Sequence, residues 1–157
     1  MKLHTREESG IVLTRQLEWR HDGERIDHPN IVELFNRSLV VTEEGEYRIV
    51  LPHDWCRVTV EDCAYAVVAV DRAPDDRLSI RLSDRTAEWL DVPSLGVDPE
   101  GAFTVRVKAG RARARFSRPA QVALGAFLTV HDDAAHLTVG ARSTPVPGLD
   151  RAVHGPS

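Results

Sequence analysis

The feature that most constrains this chain is a pattern that occurs twice. Two stretches of alternating apolar and polar residues are joined by a glycine-containing turn, and a proline then opens an amphipathic helix. In the first copy, Leu13–Ser38, residues Leu13, Arg15, Leu17 and Trp19 alternate with Thr14, Gln16, Glu18 and Arg20. That period of two predicts a half-buried strand. Asp22-Gly23 supplies a tight two-residue turn, and pairing about it sets Trp19 opposite Ile26. Asp27 or His28 ends the strand, and Pro29 fits the first helical turn, where its missing N–H costs nothing. Ile31, Val32, Leu34, Phe35 and Leu39 then recur at helical spacing, and the helix ends near Ser38.

The second copy runs from Ala102 to Val130. Phe103, Val105 and Val107 alternate with Thr104, Arg106 and Lys108, Ala109-Gly110 turns the chain, and Ala112, Ala114 and Phe116 alternate with Arg111, Arg113 and Arg115. Ser117 caps a helix with Pro119 in its first turn, and Val122, Ala123, Ala126, Phe127 and Val130 mark its buried face. The spacing of the two copies differs by three residues, which describes a repeated motif and not a tandem array. Duplication and the recurrence of generic hairpin–helix chemistry both produce such a pair.

Between and after the copies the chain reads mainly as strand. Tyr47, Ile49 and Leu51 alternate up to Pro52, and Cys56, Val58 and Val60 alternate after it. Ala64–Val70 is continuously apolar, which predicts a central strand covered on both faces. Leu78–Leu82 alternates, Ala87–Leu90 is a short strand, and Asp91–Gly101, with two prolines and two glycines, is loop. His136–Ala141 is a last short strand. The expected organisation is an N-terminal α+β subdomain over 11–85, a C-terminal α+β subdomain over 86–141, and a flexible Pro/Gly-rich tail over 142–157.

Composition narrows the function classes. The chain has 157 residues, 42% hydrophobic and 28% charged, with 20 basic and 24 acidic residues and a formal net charge of −4. That balance argues against a general nucleic-acid binder. The longest apolar run, Ala64–Val70, falls far short of the ~20 residues of a membrane span. Met1–Gly10 is charged and lacks an apolar signal core, so a cytoplasmic location is expected. Cys56 and Cys63 are separated by an extended segment that holds them beyond disulfide reach, and they lack zinc-ligand spacing. Two small buried thiols in a reducing compartment are the expectation.

The candidate binding surface is the second hairpin. A two-residue turn at 109–110 makes Lys108 face Arg111, Arg106 face Arg113 and Thr104 face Arg115, with Val107/Ala112, Val105/Ala114 and Phe103/Phe116 on the other side. One face is apolar and the other carries Arg106, Lys108, Arg111, Arg113 and Arg115. Like charges placed opposite each other destabilise a sheet, so something anionic should cover them. Ser117 and Arg118 open a helix whose free N–H groups favour anions. An anionic small molecule, such as a phosphate or nucleotide, or an acidic protein surface is one reading; a solvated face, or one paired with the chain's own carboxylates, is the other.

Three His-Asp dipeptides, His21-Asp22, His53-Asp54 and His131-Asp132, fall in predicted turns, where they lack the register of a metal site; neither metal nor cofactor is expected. Glu61-Asp62 with a turn histidine offers the alternative of a small hydrolase, although a strand-end turn explains the pair equally well. Nucleophile elbow, phosphate loop and dinucleotide fingerprint are all missing. Trp19, Trp55 and Trp89 fall on or beside strands, as core or rim residues. The expected function is therefore a non-catalytic binding module, with a hydrolase or an oligomerisation scaffold as alternatives.

Several strings are familiar together: Trp19-x-x-Asp-Gly-x-x-Ile-x-His-Pro-x-Ile-Val-x-Leu-Phe35, Tyr47-x-Ile-Val-x-Pro52, Val58-x-Val-Glu-Asp62 followed by Tyr65, and Ala114-Arg-Phe-Ser-Arg118 running into a helix. From Leu13 to Ala141 the chain resembles the bacterial domain-of-unknown-function family 1285. The resemblance implies a two-subdomain α+β fold with repeated motifs and curved, mostly antiparallel, barrel-like sheets, and a role in signal transduction. It carries over no catalytic residue. Cys63-Ala64 departs from the Ala-Pro expected after the Glu-Asp pair, and the end after Gly140 lacks the family's apolar, aromatic character.

Overall fold

The computed structural model describes residues 5–154. Its elements are β1 (Ile11–Leu13), β2 (Trp19–His21), β3 (Glu24–Arg25), α1 (Pro29–Ser38), β4 (Leu39–Val41), β5 (Tyr47–Leu51), β6 (Asp54–Arg57), β7 (Thr59–Val60), β8 (Tyr65–Arg72), β9 (Leu78–Leu82), β10 (Ala87–Trp89), β11 (Gly96–Val97), β12 (Phe103–Val107), β13 (Ala112–Phe116), α2 (Arg118–Gly125), β14 (Leu128–His131), β15 (Ala134–Val139), β16 (Arg142–Pro145) and α3 (Asp150–His154). They form four sheets, ordered β3-β2-β1-β7, β4-β5-β6, β10-β9-β8-β13-β12-β11 and β14-β15-β16. Pairing is antiparallel except at β1–β7 and β8–β13. The α+β class holds. The barrel-like detail is corrected: β10 and β11 leave the largest sheet open at both ends, so no barrel closes among the described residues.

The predicted strand over 13–20 is two strands. Leu13 pairs with Trp19, and the chain reverses through Arg15, Gln16 and Leu17. The Thr14 N–H donates to the Glu18 carbonyl and Leu17 adopts a left-handed φ of 64°. A three-residue loop of this kind keeps both flanking residues on one face, which is why the alternation runs unbroken through a turn. The same loop recurs at 43–45, 74–76, 83–85 and 99–101, with Gly45, Asp76, Arg85 and Gly101 at the left-handed position. Glycine or aspartate suits that conformation; Leu17 and Arg85 carry a steric cost of about 1–2 kcal/mol each.

The Asp22-Gly23 turn forms as read, and the Ile26 N–H donates to the Trp19 carbonyl. His28 caps α1, its imidazole Nδ1 accepting from the Asn30 N–H, and Ser117 caps α2 by accepting from the Ala120 N–H. The repeat is longer than the sequence pattern suggested. Each helix is followed by a three-stranded antiparallel meander, β4-β5-β6 after α1 and β14-β15-β16 after α2.

The core is one contiguous apolar cluster. Trp19 is buried, with its ring edge-on to Phe35 and its Nε1–H donating to Asn36 Oδ1 at 2.8 Å. Tyr65 is fully buried, and its hydroxyl donates to the Leu39 carbonyl, tying the large sheet to β4. The large sheet takes β8 and β9 from one side of the expected 85/86 boundary and β10 to β13 from the other. β8 is central, but the expected cover on both faces is incomplete: Val68 is exposed, beside a bulge between Val67 and Ala69.

Two loop expectations are corrected as well. Asp91–Gly101 contains a 3-10 turn at Val92–Ser94 and the edge strand β11. The predicted tail is ordered through residue 154. β16 pairs with β15, Val146 and Leu149 are buried, and the Ala135 N–H donates to Asp150 Oδ1. Gly148 permits this docking, since a Cβ there would lie 1.8 Å from the Leu95 carbonyl oxygen. Residues 155–157 of that segment, and Met1 to His4 of the charged N-terminal start, lie outside the described residues.

Candidate anion-binding cleft

The second hairpin has the register that its apolar pattern dictates. Arg106 pairs with Arg113 and Thr104 with Arg115, opposite a buried face of Phe103, Val105, Val107, Ala112, Ala114 and Phe116. Phe103 and Phe116 meet edge-on with ring centres 6.1 Å apart. The turn differs. It spans Lys108 to Arg111, and Lys108, Ala109 and Gly110 all adopt positive φ. A left-handed residue turns its side chain away from the alternation of the strand. Lys108 therefore leaves the arginine face: its ammonium lies 5.0 Å from the Tyr65 ring centre and donates to Asp84 Oδ2 at 2.5 Å and Thr86 Oγ1 at 2.9 Å.

The chain's own carboxylates hold two of the four arginines that remain, Arg113 and Arg115. Arg113 pairs with Asp62 at 2.6 Å, and Arg15 approaches the other Asp62 oxygen at 3.8 Å. Arg115 pairs through Nε with Asp98 Oδ2 at 3.3 Å. Asp98 is buried, and its second oxygen accepts the N–H groups of Glu100 and Ala102, both at 2.9 Å. One carboxylate thus shapes the 98–102 turn and anchors an arginine of β13, in the same sheet. Arg106 extends along the hairpin, donating to the Gly110 carbonyl at 3.3 Å. Arg111 sits exposed in the turn, away from the paired strands. A continuous cationic docking face, as read from the sequence, is corrected: Arg113, Arg115 and Lys108 are each held by an internal aspartate.

Three of the seven candidate residues do converge. Arg115, Ser117 and Arg118 line an open cleft of about 530 Å3 at the start of α2. Leu17, Ala66, Phe116 and Val122 supply its apolar wall, and Glu100 stands on the rim, paired with Arg15 at 3.0 Å. Gln121 fixes the far wall by accepting the Phe103 N–H at 2.8 Å and donating to the Gly101 carbonyl at 3.0 Å. The helix start offers less than an ideal one. The Ala120 N–H is taken by Ser117 Oγ and Pro119 has none, so the Arg118 N–H is the free donor of the first turn. Arg118 is exposed, and no ion pair holds it among the described residues.

Glu61 and Asp62 lie in a separate cleft with Arg15, Val97, Asp98, Pro99 and Arg113, and no histidine lines it. Glu61 Oε1 accepts the Arg15 N–H, and Asp62 is committed to Arg113. The three His-Asp dipeptides lie apart, each at the junction of a strand and a turn. His21 lies 3.7 Å from Asp22, His53 borders Trp55, and the His131 ring packs edge-on against His136. Both cysteines are free. Burial pushes the Cys63 thiol up to about 11 and raises that of half-buried Cys56. No described helix is long and apolar enough to cross a membrane.

Asp98, Asp84 and Gln121 escaped the sequence reading. Asp98-Pro99-Glu100-Gly101 is a legible turn signature, but nothing local marks its carboxylate as the partner of an arginine in another strand.

With this geometry the chain defines a class: an open α+β protein of two hairpin–helix–meander units sharing one core. It matches no family model and no curated protein. Among solved structures, it shares its fold with a DUF1285 family protein from Silicibacter pomeroyi, at a TM-score of 0.65 and 21% identity over 91% of this chain and 82% of that one. A DUF1285 family protein from Shewanella baltica aligns at a TM-score of 0.55 and 18% identity over 75% of this chain and 91% of that one. The fold of this chain is that of the DUF1285 proteins, as its residue strings implied.

Proposed function

We propose that the protein is a non-catalytic binding module that takes a small monoanionic ligand in the cleft at the start of α2. The observation that carries this reading is the arrangement of Arg118: a guanidinium and a helix-start N–H that have no partner among the described residues, beside an apolar wall. Charge-assisted bonds to one anionic group would come from that side chain and amide, and the apolar wall would cover an attached hydrocarbon body. Because Asp98 already neutralises Arg115, the cleft suits a single negative charge better than the multiple charges of a nucleotide.

Its concave shape favours a small molecule over a broad acidic protein surface. The commitment of Asp62 to Arg113 weighs against the hydrolase alternative. A cytoplasmic, signalling role belongs with this reading; the two unpaired thiols support a reducing compartment. The test is thermal unfolding of the full chain with phenyl phosphate and benzoate. Benzoate, a monoanion, should raise the Tm of the wild type and leave Arg118→Glu unmoved, and phenyl phosphate, largely a dianion near neutral pH, should raise it less. An equal rise in both proteins would refute the assignment.

A further inference from the structure

A second cavity, of about 240 Å3, lies between the β9–β10 edge of the large sheet and the β15–β16 pair. Buried Leu78, Leu90, Leu137 and Val139 line it, with Trp89, half-exposed on edge strand β10, at its side. Two contacts pre-form it. Gly140, at φ 59°, lets the β15–β16 turn approach so closely that a Cβ would lie 2.3 Å from Asp76 Oδ2. Arg77 stacks 3.7 Å from the Trp89 ring centre, fixing the indole.

The charges at the mouth are unequal in availability. Arg77 is bound to Asp75 at 2.7 Å, and Asp76 is bound to Arg72 at 2.6 Å. Arg142 is exposed, with no ion pair among the described residues, and Thr144 beside it brings a hydroxyl.

We infer that this cavity is a second ligand site, for a small carboxylate carrying one aromatic ring. The size argument is direct: an apolar cavity of about 150 Å3 holds benzene, so this one holds a ring with a short acid chain. The ring lies against Leu90, Val139 and Trp89, and the carboxylate meets Arg142 at the mouth. Charge complementarity selects the acid over a neutral or cationic analogue, because Arg142 is the mouth charge that no partner among the described residues satisfies.

The probe is phenylacetate, with neutral phenylacetamide as control, followed by 1H–15N spectra of the full chain. The Trp89 indole N–H is assigned by its loss in Trp89→Phe. The expected result is a saturable shift of the Trp89 indole signal at millimolar phenylacetate. Binding should be roughly fivefold weaker for phenylacetamide and for Arg142→Glu, and unchanged in Arg118→Glu. Thr144→Phe, at the half-buried rim, should abolish the shift while leaving the remaining spectrum folded. An unmoved Trp89 signal, equal affinity in Arg142→Glu, or loss of binding in Arg118→Glu would each overturn the inference. Arg118→Glu separates this site from the α2 cleft, so either can fail alone.

Discussion

Replacing Asp98 by alanine tests the reading that one buried carboxylate converts a cationic hairpin into scaffold. Its side chain is 5% exposed, and it accepts two backbone N–H bonds and pairs with Arg115, whose side chain is 25% exposed. Losing two hydrogen bonds costs about 1 kcal/mol each. The orphaned guanidinium adds about 1 kcal/mol, less than a fully buried charge would, because Arg115 can turn toward water. The sum is about 3 kcal/mol, which at a urea m-value of about 2 kcal/mol/M moves the midpoint down by about 1.5 M. Asp98→Asn keeps an acceptor for the two N–H groups and should lose only about 1 kcal/mol. Asp62→Ala removes a half-exposed pair and should cost below about 1 kcal/mol. Urea unfolding of the three variants is the assay. Equal midpoint shifts for Asp98→Ala and Asp62→Ala would refute the reasoning.

Arg85→Gly should stabilise by about 0.5 kcal/mol, because it relieves a left-handed residue and gives up only an exposed pair with Glu33; a fall in Tm below that of Glu33→Gln would contradict this. Gly148→Ala drives a Cβ into the Leu95 carbonyl and should release the segment after β16, seen as new proteolytic cutting near Val146; a wild-type digestion pattern would show that the segment does not depend on that contact. Cys63 should alkylate far more slowly than Cys56 at pH 8. With its folded pKa raised from 9.0 to about 11, its contribution to stability is complete below pH 9 and lost as pH rises toward 11. Cys63→Ala should therefore flatten that part of the alkaline stability profile; a profile unchanged by the substitution would count against burial as the cause.

The sequence made the hairpin register legible because parity is unforgiving: a slip by one residue would have exposed Val105 and Ala114. It made both helix starts legible through His28-Pro29 and Ser117-x-Pro119, which act locally. Parity failed at Leu17, where a three-residue loop preserves the alternation while reversing the chain. It failed again at Lys108, where a positive φ re-aims the side chain toward Asp84. The partners of Arg113 and Arg115 lie far along the chain or in another turn, and no spacing rule reaches them. The ordered end hid behind its prolines and glycines, because Gly148 serves a close approach to Leu95 that exists only after folding.

The central claim is that Arg118, and not the hairpin arginines, receives the anion. Arginine Nε–H signals followed in 1H–15N spectra during titration with benzoate test it directly. The account predicts that the Arg118 signal shifts and saturates while those of Arg113 and Arg115 stay in place, held by Asp62 and Asp98. Movement of Arg113 and Arg115 with Arg118 unaffected would contradict it.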